Sequence, residues 1–236
     1  MTHTRTLVLG LFIGALALIS TLGGGLIAQA APAPTDSPLP HVSPSRQSED
    51  LDEQEIANLL WMREEEKVAR DVYLALADQW GLRIFSNISK AEQQHMDAML
   101  GLINAYGLED PVGDNPRGVF SNSELQALYD ALVAQGSQSQ VEALKVGTTV
   151  EEVDIIDLQK AIAHSSHEDV TQAYESLQCG SGNHLRAFVR NLEQMTGETY
   201  TPQYLDQATY DSIIAGSNGG CGQMLNYRTY QPFLAF

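Results

Sequence analysis

Basic residues are scarce in this chain of 236 residues. Lysine and arginine number 13 against 30 aspartates and glutamates, which gives a formal net charge of −17 at pH 7. Such a surface repels phosphate backbones, so nucleic acid is not expected as a partner, whereas metal cations are attracted. The acidity is also consistent with a protein that is simply kept soluble by its charge.

Cysteine is almost absent, with only Cys179 and Cys221. Their separation excludes a Cys-x-x-Cys redox or zinc site, and two cysteines cannot form a rubredoxin-like four-cysteine site. In an oxidising compartment the two thiols could pair and fix the C-terminal segment to the body of the protein. The sequence alone leaves that pairing open.

The N-terminal segment lacks acidic residues and contains a long apolar run after Arg5. The run ends in the small-residue pattern Ala28-Gln29-Ala30, which is typical of a signal-peptidase site. This predicts a signal peptide over residues 1–30, cleaved after Ala30, and export to the periplasm or the extracellular space. The alternative is an uncleaved membrane anchor, because the run approaches the roughly 20 residues that span a bilayer.

The rest of the chain divides into three predicted parts. Residues 31–50 are rich in proline and serine and poor in large apolar side chains, which predicts a disordered linker. Residues 51–214 have the size of one domain with its own core. Residues 215–236 are predicted to form a C-terminal tail.

No strand of alternating valine and isoleucine is evident, and helical periodicity dominates the domain. The pattern predicts four long amphipathic helices: about 52–80, from a turn at 85–89 to about 106, from 148 or 149 to about 163, and 166 to about 195. A shorter helix is predicted over 122–134 and another short one before the tail. The predicted fold is therefore an all-α four-helix bundle with a short extra helix and a C-terminal helical or irregular tail.

Polar residues interrupt the apolar stripe of each long helix. Glu66 lies in the stripe of the first helix, and Glu92 with His95 lies in that of the second. The third stripe contains Glu151 and the fourth contains His184. Because ionised carboxylates in a core are costly without a compensating cation, the converging carboxylates and imidazoles predict a divalent metal site.

Two motifs resemble a known family. Glu66-x-x-Ala69-Arg70-x-x-Tyr73 resembles the first-helix motif of rubrerythrins, and Glu92-x-x-His95 resembles their second-helix motif. More closely, several segments between 51 and 214 are similar, in order and separation, to the prokaryotic ferritin-like family DUF2202, a domain of unknown function. These segments are EEEKVARDVYLAL, FSNISKAEQQHMDAM, EEVDIIDLQKAI, NHLRAFVRNLE and TYTPQYLDQATYDSI.

The resemblance implies a ferritin-like four-helix bundle with a carboxylate-bridged di-iron site. The positions that it marks as candidate metal ligands are Glu66, Glu92, His95, Glu151, Glu152, Asp154 and His184. Glu151 and Glu152 both flank the stripe of the third helix, and the choice between them stays open. On the fourth helix Ser181 stands where a rubrerythrin has a glutamate, so one metal position is weak, vacant or completed by Glu152, Asp154 or water.

The resemblance also implies a cofactor and a chemistry. Two iron ions per chain are expected, with manganese or zinc as alternatives, and peroxide or dioxygen as the reacting partner. Tyr73 is a catalytic candidate that could hydrogen-bond to the site or donate an electron, or could simply pack in the core. Because the chain lacks a four-cysteine site, an external electron donor would be required. A homodimer is left open, since no interface pattern is evident.

Several alternatives remain for these residues. Ser89-x-x-Glu92, Thr148-x-x-Glu151 and Thr149-x-x-Glu152 fit helix capping boxes, in which the glutamate serves only the helix start. His164 and His167 suggest a second metal site, but helix capping from Ser165 and Ser166 is the favoured interpretation of that turn. At the level of function, a metal-binding bundle without turnover and a purely structural bundle both stay possible.

Overall fold

The computed structural model describes residues 51–216 and Cys221. The regular secondary structure of this part is entirely α-helical. The helices are α1 (Glu53–Trp80), α2 (Arg83–Ala105), α3 (Ser123–Gly136), α4 (Gln140–His164), α5 (Glu168–Thr196) and α6 (Gln207–Ala215). The predicted signal peptide and linker, and most of the predicted tail, lie outside the described residues. Within the described part, no helix is long and apolar enough to cross a membrane.

Four long helices form the bundle. Only two residues, Gly81 and Leu82, separate α1 from α2, and the two helices pack along each other as an antiparallel pair. Helices α4 and α5 form a second such pair, and α1 packs on α4 while α2 packs on α5. The connection from α2 to α4 is long, contains α3 and crosses the bundle, with α3 packed against α1 and α4.

Helix α1 begins at a capping box and ends at a glycine. Asp52 accepts hydrogen bonds from the backbone N–H groups of Gln54 and Glu55, and the Glu55 carboxylate accepts from the backbone N–H of Asp52. This is a capping box. Gly81 ends the helix with φ of 66°, a left-handed conformation that favours glycine. The predicted start and stop of the first helix are confirmed.

The predicted turn at 85–89 is wrong, because α2 already begins at Arg83. The serines that suggested a turn donate instead to the preceding helical turn, Ser86 to the carbonyl of Arg83 and Ser89 to that of Ser86. Phe85 is fully buried and its ring lies 5.5 Å from the Phe188 ring. Core packing therefore stabilises helix where local preference favours a turn.

The predicted start of the third long helix is also wrong, since α4 begins at Gln140 and its cap is Ser139. Gly147 lies within the helix, where a Cβ would come 2.4 Å from the Phe188 ring. Glycine at this position serves the close packing of α4 on α5 rather than a helix boundary. Glu151 and Glu152 are therefore far inside a helix, and the capping boxes proposed for them do not form.

Helix α5 begins at Glu168 with His167 as its cap residue, and no side chain caps it. The favoured capping role of Ser165 and Ser166 is therefore wrong. At the other end Gly197 stops the helix with φ of 74°. A disulfide joins Cys179 of α5 to Cys221, so the pairing left open by the sequence is present.

The acidic stretch of α1 is largely buried rather than solvated. The Glu64 carboxylate accepts from the backbone N–H groups of Ser121 and Asn122. The Lys67 ammonium is fully buried and donates to Asp71 and to two carbonyls of the α2–α4 connection. Glu64 and Lys67 therefore satisfy backbone groups of the crossing connection.

Three apolar clusters are present among the described residues, and two of them have members on all four long helices. One contains Val72, Tyr73, Phe85 and Phe188, among others. The other contains buried residues nearer the opposite end of each long helix, including Leu59, Met62, Met99, Leu102, Leu158 and Leu177. On each of the four long helices the polar stripe residues lie between the residues of the two clusters. The candidate site is thus enclosed by apolar layers on both sides.

Candidate metal centre

Two groups of buried acidic and histidine side chains have ligand atoms close enough to share a metal ion. The first group is Glu66, Glu92 and His95, and the second is Glu92, Glu151 and His184. In each group the atoms lie within 4.8 Å of one another. Glu92 belongs to both, so the two groups form one site with contributions from α1, α2, α4 and α5.

Each oxygen of Glu92 faces a different imidazole. Glu92 Oε2 lies 2.9 Å from His95 Nδ1, and Glu92 Oε1 lies 2.9 Å from His184 Nδ1. Glu66 Oε2 is 3.2 Å from His95 Nδ1, and Glu151 Oε2 is 3.5 Å from His184 Nδ1. The two rings are stacked with their centroids 5.5 Å apart. The result is a nearly symmetric arrangement about the Glu92 carboxylate.

Several ligand atoms of the site have no hydrogen-bond partner among the described residues. They are Glu66 Oε1, Glu92 Oε1 and His184 Nδ1. Glu92 Oε1 and His184 Nδ1 lie 2.9 Å apart as an ion pair, but neither atom makes a hydrogen bond among the described residues. Buried polar atoms without a partner are costly, so their convergence needs an explanation beyond packing.

The electrostatics of the site reflect crowded buried carboxylates. Burial raises the pKa of Glu66 to about 7, against the opposing effect of His95. Burial and then the charge of Glu92 raise the pKa of Glu151 to about 7. For Glu92 the effect of burial is outweighed by the imidazoles of His184 and His95, which lower its pKa below the usual range. Glu92 is therefore the carboxylate that stays ionised.

Both imidazoles hold a proton strongly in the metal-free chain. Burial lowers the pKa of His184, but the carboxylates of Glu92 and Glu151 outweigh it and raise the pKa to about 10. Glu66 and Glu92 likewise raise the pKa of His95 well above its usual value, against burial. A metal ion bound here would therefore have to displace protons from the site.

Tyr73 contacts the site directly. Its hydroxyl donates a 2.6 Å hydrogen bond to Glu151 Oε1, and its ring is fully buried beside Phe85 and Phe188. Burial raises the pKa of this hydroxyl well above its usual value. The tyrosine thus combines core packing with orientation of a candidate ligand, which leaves Glu151 Oε2 towards His184.

The structure separates Glu151 from Glu152. Glu152 Oε1 accepts from the Tyr200 hydroxyl, and its Oε2 accepts from the backbone N–H groups of Gln203, Tyr204 and Leu205. Both oxygens are thus used to hold the segment between α5 and α6. Glu152 lies in neither group of the site, and its carboxylate serves this connection rather than the bundle interior.

Asp154 and Ser181 also meet in the interior. The Ser181 hydroxyl lies 2.5 Å from Asp154 Oδ2, and Asp154 Oδ1 is buried without a hydrogen-bond partner. Burial and the nearby charges of Glu66 and Glu65 raise the pKa of Asp154 well above its usual value. Asp154 belongs to neither group, but its carboxylate contacts α5 at Ser181.

Gly180 of α5 packs against the His95 ring, and the sequence analysis does not predict this contact. A Cβ at position 180 would lie 2.6 Å from His95 Nε2, so only glycine lets α5 approach the ring this closely. The packing holds the imidazole with Nδ1 towards the carboxylates. A glycine inside a long helix is the signal that could have indicated a close approach.

Glu65 is a further buried carboxylate that the sequence analysis does not single out. It accepts a hydrogen bond from Trp61 Nε1 at 3.0 Å and is 6 % exposed. Burial raises its pKa well above the usual value, and the charges of Asp157 and Glu66 act in the same direction. Glu66, the next residue, lies in the apolar stripe of the first helix and is predicted from it, whereas Glu65 lies just beside that stripe.

His164 and His167 lie away from the site, at the turn between α4 and α5. His164 Nε2 is 2.9 Å from Asp52 Oδ2, and His167 Nδ1 is 2.9 Å from Glu55 Oε1. Each imidazole is therefore paired with a carboxylate at the start of α1. Their role in the described structure is to join the α4–α5 turn to that helix end.

The family is decided by comparison with known proteins. The profile of the DUF2202 family, described as an uncharacterized protein domain, matches residues 55–217. The chain belongs to the DUF2202 family. The match covers the bundle except for the first two residues of α1, and it includes every residue of the two groups that form the candidate metal centre.

A relative with a solved structure supports this assignment. Uncharacterized protein MJ0754 from Methanocaldococcus jannaschii is 50 % identical over 167 residues, which cover 71 % of this chain and 90 % of the relative. The crystal structure of hypothetical protein MJ0754 from Methanococcus jannaschii superposes with a TM-score of 0.70 and 48 % identity, covering 78 % of this chain and all of that one. Neither description assigns an activity, so the function of this DUF2202 chain has to be argued from its site.

Proposed function

We propose that this protein is an exported, ferritin-like metalloprotein whose carboxylate-bridged centre holds two metal ions, most simply iron, and reacts with peroxide or dioxygen. The observation that carries the proposal is the position of Glu92 between two histidines, with one oxygen towards each. Export is supported by the N-terminal signal-peptide pattern alone.

The residues fit a pair of divalent ions. Glu66 and His95 would hold one ion, Glu151 and His184 the other, and Glu92 would bridge them. Oxygen and imidazole ligands without a thiolate suit iron, manganese and zinc. Glu66 Oε1, Glu92 Oε1 and His184 Nδ1 make no hydrogen bond among the described residues, and they are the atoms that a cation would contact. Asp154 Oδ1 is a further buried oxygen near the site.

The architecture supports a ferritin-like assignment. Carboxylate and histidine ligands projecting inward from four helices are typical of the ferritin-like di-iron proteins, and so is a single long crossover connection. Here the crossover is the connection between α2 and α4. The departure is on α5, where Ser181 replaces the glutamate of a second Glu-x-x-His motif and donates a hydrogen bond to Asp154 of the neighbouring helix α4.

The chain itself would contribute orientation, protection and proton handling. When bound, iron would supply one electron per ion through its ferrous and ferric states. Tyr73 fixes Glu151 through a 2.6 Å hydrogen bond, and Gly180 fixes His95 through close packing. The apolar clusters on both sides exclude bulk water. In the metal-free chain the pKa values of Glu66 and Glu151 are both raised to about 7, so metal binding near neutral pH would release protons from these carboxyl groups.

The proposal is tested by metal content and peroxide consumption on one preparation. Mature protein loaded anaerobically with ferrous iron should retain about two irons per chain by mass spectrometry, as the four-helix ligand pattern implies. It should then consume peroxide when a reductant is supplied. Retention of two irons without peroxide or dioxygen consumption would leave a metal-binding bundle without turnover. Iron near zero would overturn the metal centre itself.

A further inference from the structure

The Cys179–Cys221 disulfide lies on the surface, on the part of α5 that serves the candidate metal centre. Cys179 is exposed and Cys221 is half-buried, with Asn183 Nδ2 3.1 Å from the Cys221 sulfur. An exposed disulfide can be attacked by a thiolate, whereas a buried one is protected. Exposure is also a feature of labile or catalytic disulfides rather than of purely structural ones.

A cavity leads to this disulfide. It has a volume of about 660 Å³, opens to solvent and lies between α4, α5 and α6, with Cys179 in its wall. Polar side chains of α4 and α5 line it, including Gln159, Glu175 and Gln178. Arg186 lies at the same cavity and donates to the carbonyl of Ile213 on α6. A small dithiol, or the reactive loop of a dithiol protein, could reach the sulfur through this opening.

The disulfide is adjacent to the site along the chain. The residue after Cys179 is Gly180, the position that packs against the ring of His95. Ser181, the next residue, contacts Asp154, and His184 follows on the next turn. One short stretch of α5 therefore has the disulfide on its outer side and contacts to the candidate metal centre on its inner side.

The proposed chemistry requires two electrons from outside the chain for each peroxide. We propose that the Cys179–Cys221 pair is where a dithiol reductant delivers those two electrons. This inference rests on the proposed function, because it supplies the reductant for that same site. Within the described residues, no other sulfur pair is present to do so.

Thiol–disulfide exchange transfers two electrons from the reductant to the Cys179–Cys221 disulfide. A thiolate of the reductant attacks Cys179 Sγ, the bond between Cys179 and Cys221 breaks, and Cys221 leaves as a thiolate that takes up a proton. The second thiol of the reductant then displaces Cys179, which gives an oxidised reductant and two cysteine thiols. When the disulfide forms again, these thiols lose two electrons and two protons. One hydrogen peroxide accepts them and becomes two waters.

The first test follows the thiols without relying on turnover. Metal-free protein is incubated with dithiothreitol, alkylated and analysed by intact mass, with circular dichroism recorded in parallel. We expect the disulfide to open while the helical signal stays native. Iron-loaded protein in the dithiol state should then lose both thiols on one equivalent of peroxide, faster than the iron-free dithiol protein. A disulfide that opens only on unfolding, or equal rates with and without iron, would overturn the inference.

The second test compares electron donors in the iron-loaded protein. Cys179→Ser with Cys221→Ser, and reduced wild-type protein whose two thiols have been alkylated, should both show at least a tenfold lower ratio of dithiothreitol-driven to ascorbate-driven peroxide consumption. Gln172→Ala, an exposed change on the same face of α5, should keep the wild-type ratio. The alkylated sample guards against a folding defect in the double variant.

The outcomes separate the two proposals. An unchanged donor ratio in both cysteine-blocked samples would show that the disulfide is only structural, with the peroxide activity intact. No peroxide consumption with either donor would refute the proposed function and the electron-delivery role with it. A dithiol protein of the thioredoxin type, used in place of dithiothreitol, distinguishes the source: faster opening per thiol than with dithiothreitol indicates a protein donor, and slower opening indicates a small dithiol.

Discussion

Glu92 Oε1 and His184 Nδ1 lie 2.9 Å apart in the bundle interior, and neither atom makes a hydrogen bond within the described residues. The other oxygen of Glu92 lies 2.9 Å from His95 Nδ1. A carboxylate placed in this way between two imidazoles is shared by both groups of the site. Removing the Glu92 carboxylate should therefore affect both groups, whereas removing that of Glu66 or Glu151 should affect only one group.

This difference gives the first prediction. Glu92→Gln should reduce bound iron from about two per chain to near zero, because an amide cannot replace a bridging anionic ligand. Glu66→Gln and Glu151→Gln should each leave about one, since each removes a ligand from one group. Metal content by mass spectrometry after gel filtration measures all three. Equal loss in the three variants would argue against the bridging position of Glu92.

The second prediction concerns Gly180. Alanine at this position would place a Cβ 2.6 Å from His95 Nε2 and push the ring out of place, so metal affinity should fall by at least about tenfold. Gly182→Ala is the matched control, because its Cβ would meet only atoms at 3.7 and 3.9 Å. Competition with a chromogenic chelator measures both. Equal affinity in the two variants would show that the position behind His95 does not orient the ring.

The third prediction separates Glu152 from its neighbour. Glu152→Gln should leave the metal content unchanged but weaken the hydrogen bonds to Tyr200 and to the backbone before α6, at a cost of about 1 to 3 kcal/mol in the free energy of unfolding. Glu151→Gln should show the opposite pattern, with metal loss. Chemical denaturation and metal analysis on both variants provide the comparison. Metal loss on changing Glu152 would restore that residue as a ligand.

The fourth prediction is the pH dependence of the metal-free protein. The folded-state pKa values of Glu66 and Glu151 are about 7 against a usual 4.5, and that of His184 is about 10 against a usual 6.5. The folded state thus binds more protons than the unfolded state across these windows. Stability should fall as pH rises, from 4.5 to 7 through the carboxylates and from 6.5 to 10 through the imidazole.

Thermal unfolding in the presence of a chelator checks this expectation. The melting temperature should decrease by several degrees between pH 5 and pH 9. Glu66→Gln combined with Glu151→Gln should flatten the lower half of that decrease, because the two titrating carboxyl groups are gone. A melting temperature that rises over this range would contradict the assigned protonation of the buried site.

The sequence predicted the parts of the fold and site that follow from helical periodicity. Glu66, Glu92 and His95 were found because they interrupt apolar stripes, and the structure brings them together. The start of α4 was missed because local preference at Thr148 and Gly147 resembles a helix boundary, whereas packing against Phe188 continues the helix through it. Contacts between distant segments decide such positions.

Neighbouring residues of similar chemistry can have different contacts in the folded chain. Glu151 and Glu152 both flank the same stripe, but only long-range partners show that one faces His184 and the other holds the segment after α5. Glu64 and Lys67 are buried by a connection that is distant in sequence, so local sequence does not show their environment. The position of Asp154 beside Ser181 likewise depends on the approach of α4 to α5.

The most direct test of the central claim is anomalous diffraction from crystals of the iron-loaded protein, recorded above and below the iron edge. We expect two anomalous peaks per chain, one contacting Glu66, Glu92 and His95 and the other contacting Glu92, Glu151 and His184. The same experiment on Glu92→Gln should show neither peak. No anomalous density between the four helices of the wild-type protein would contradict a two-metal centre.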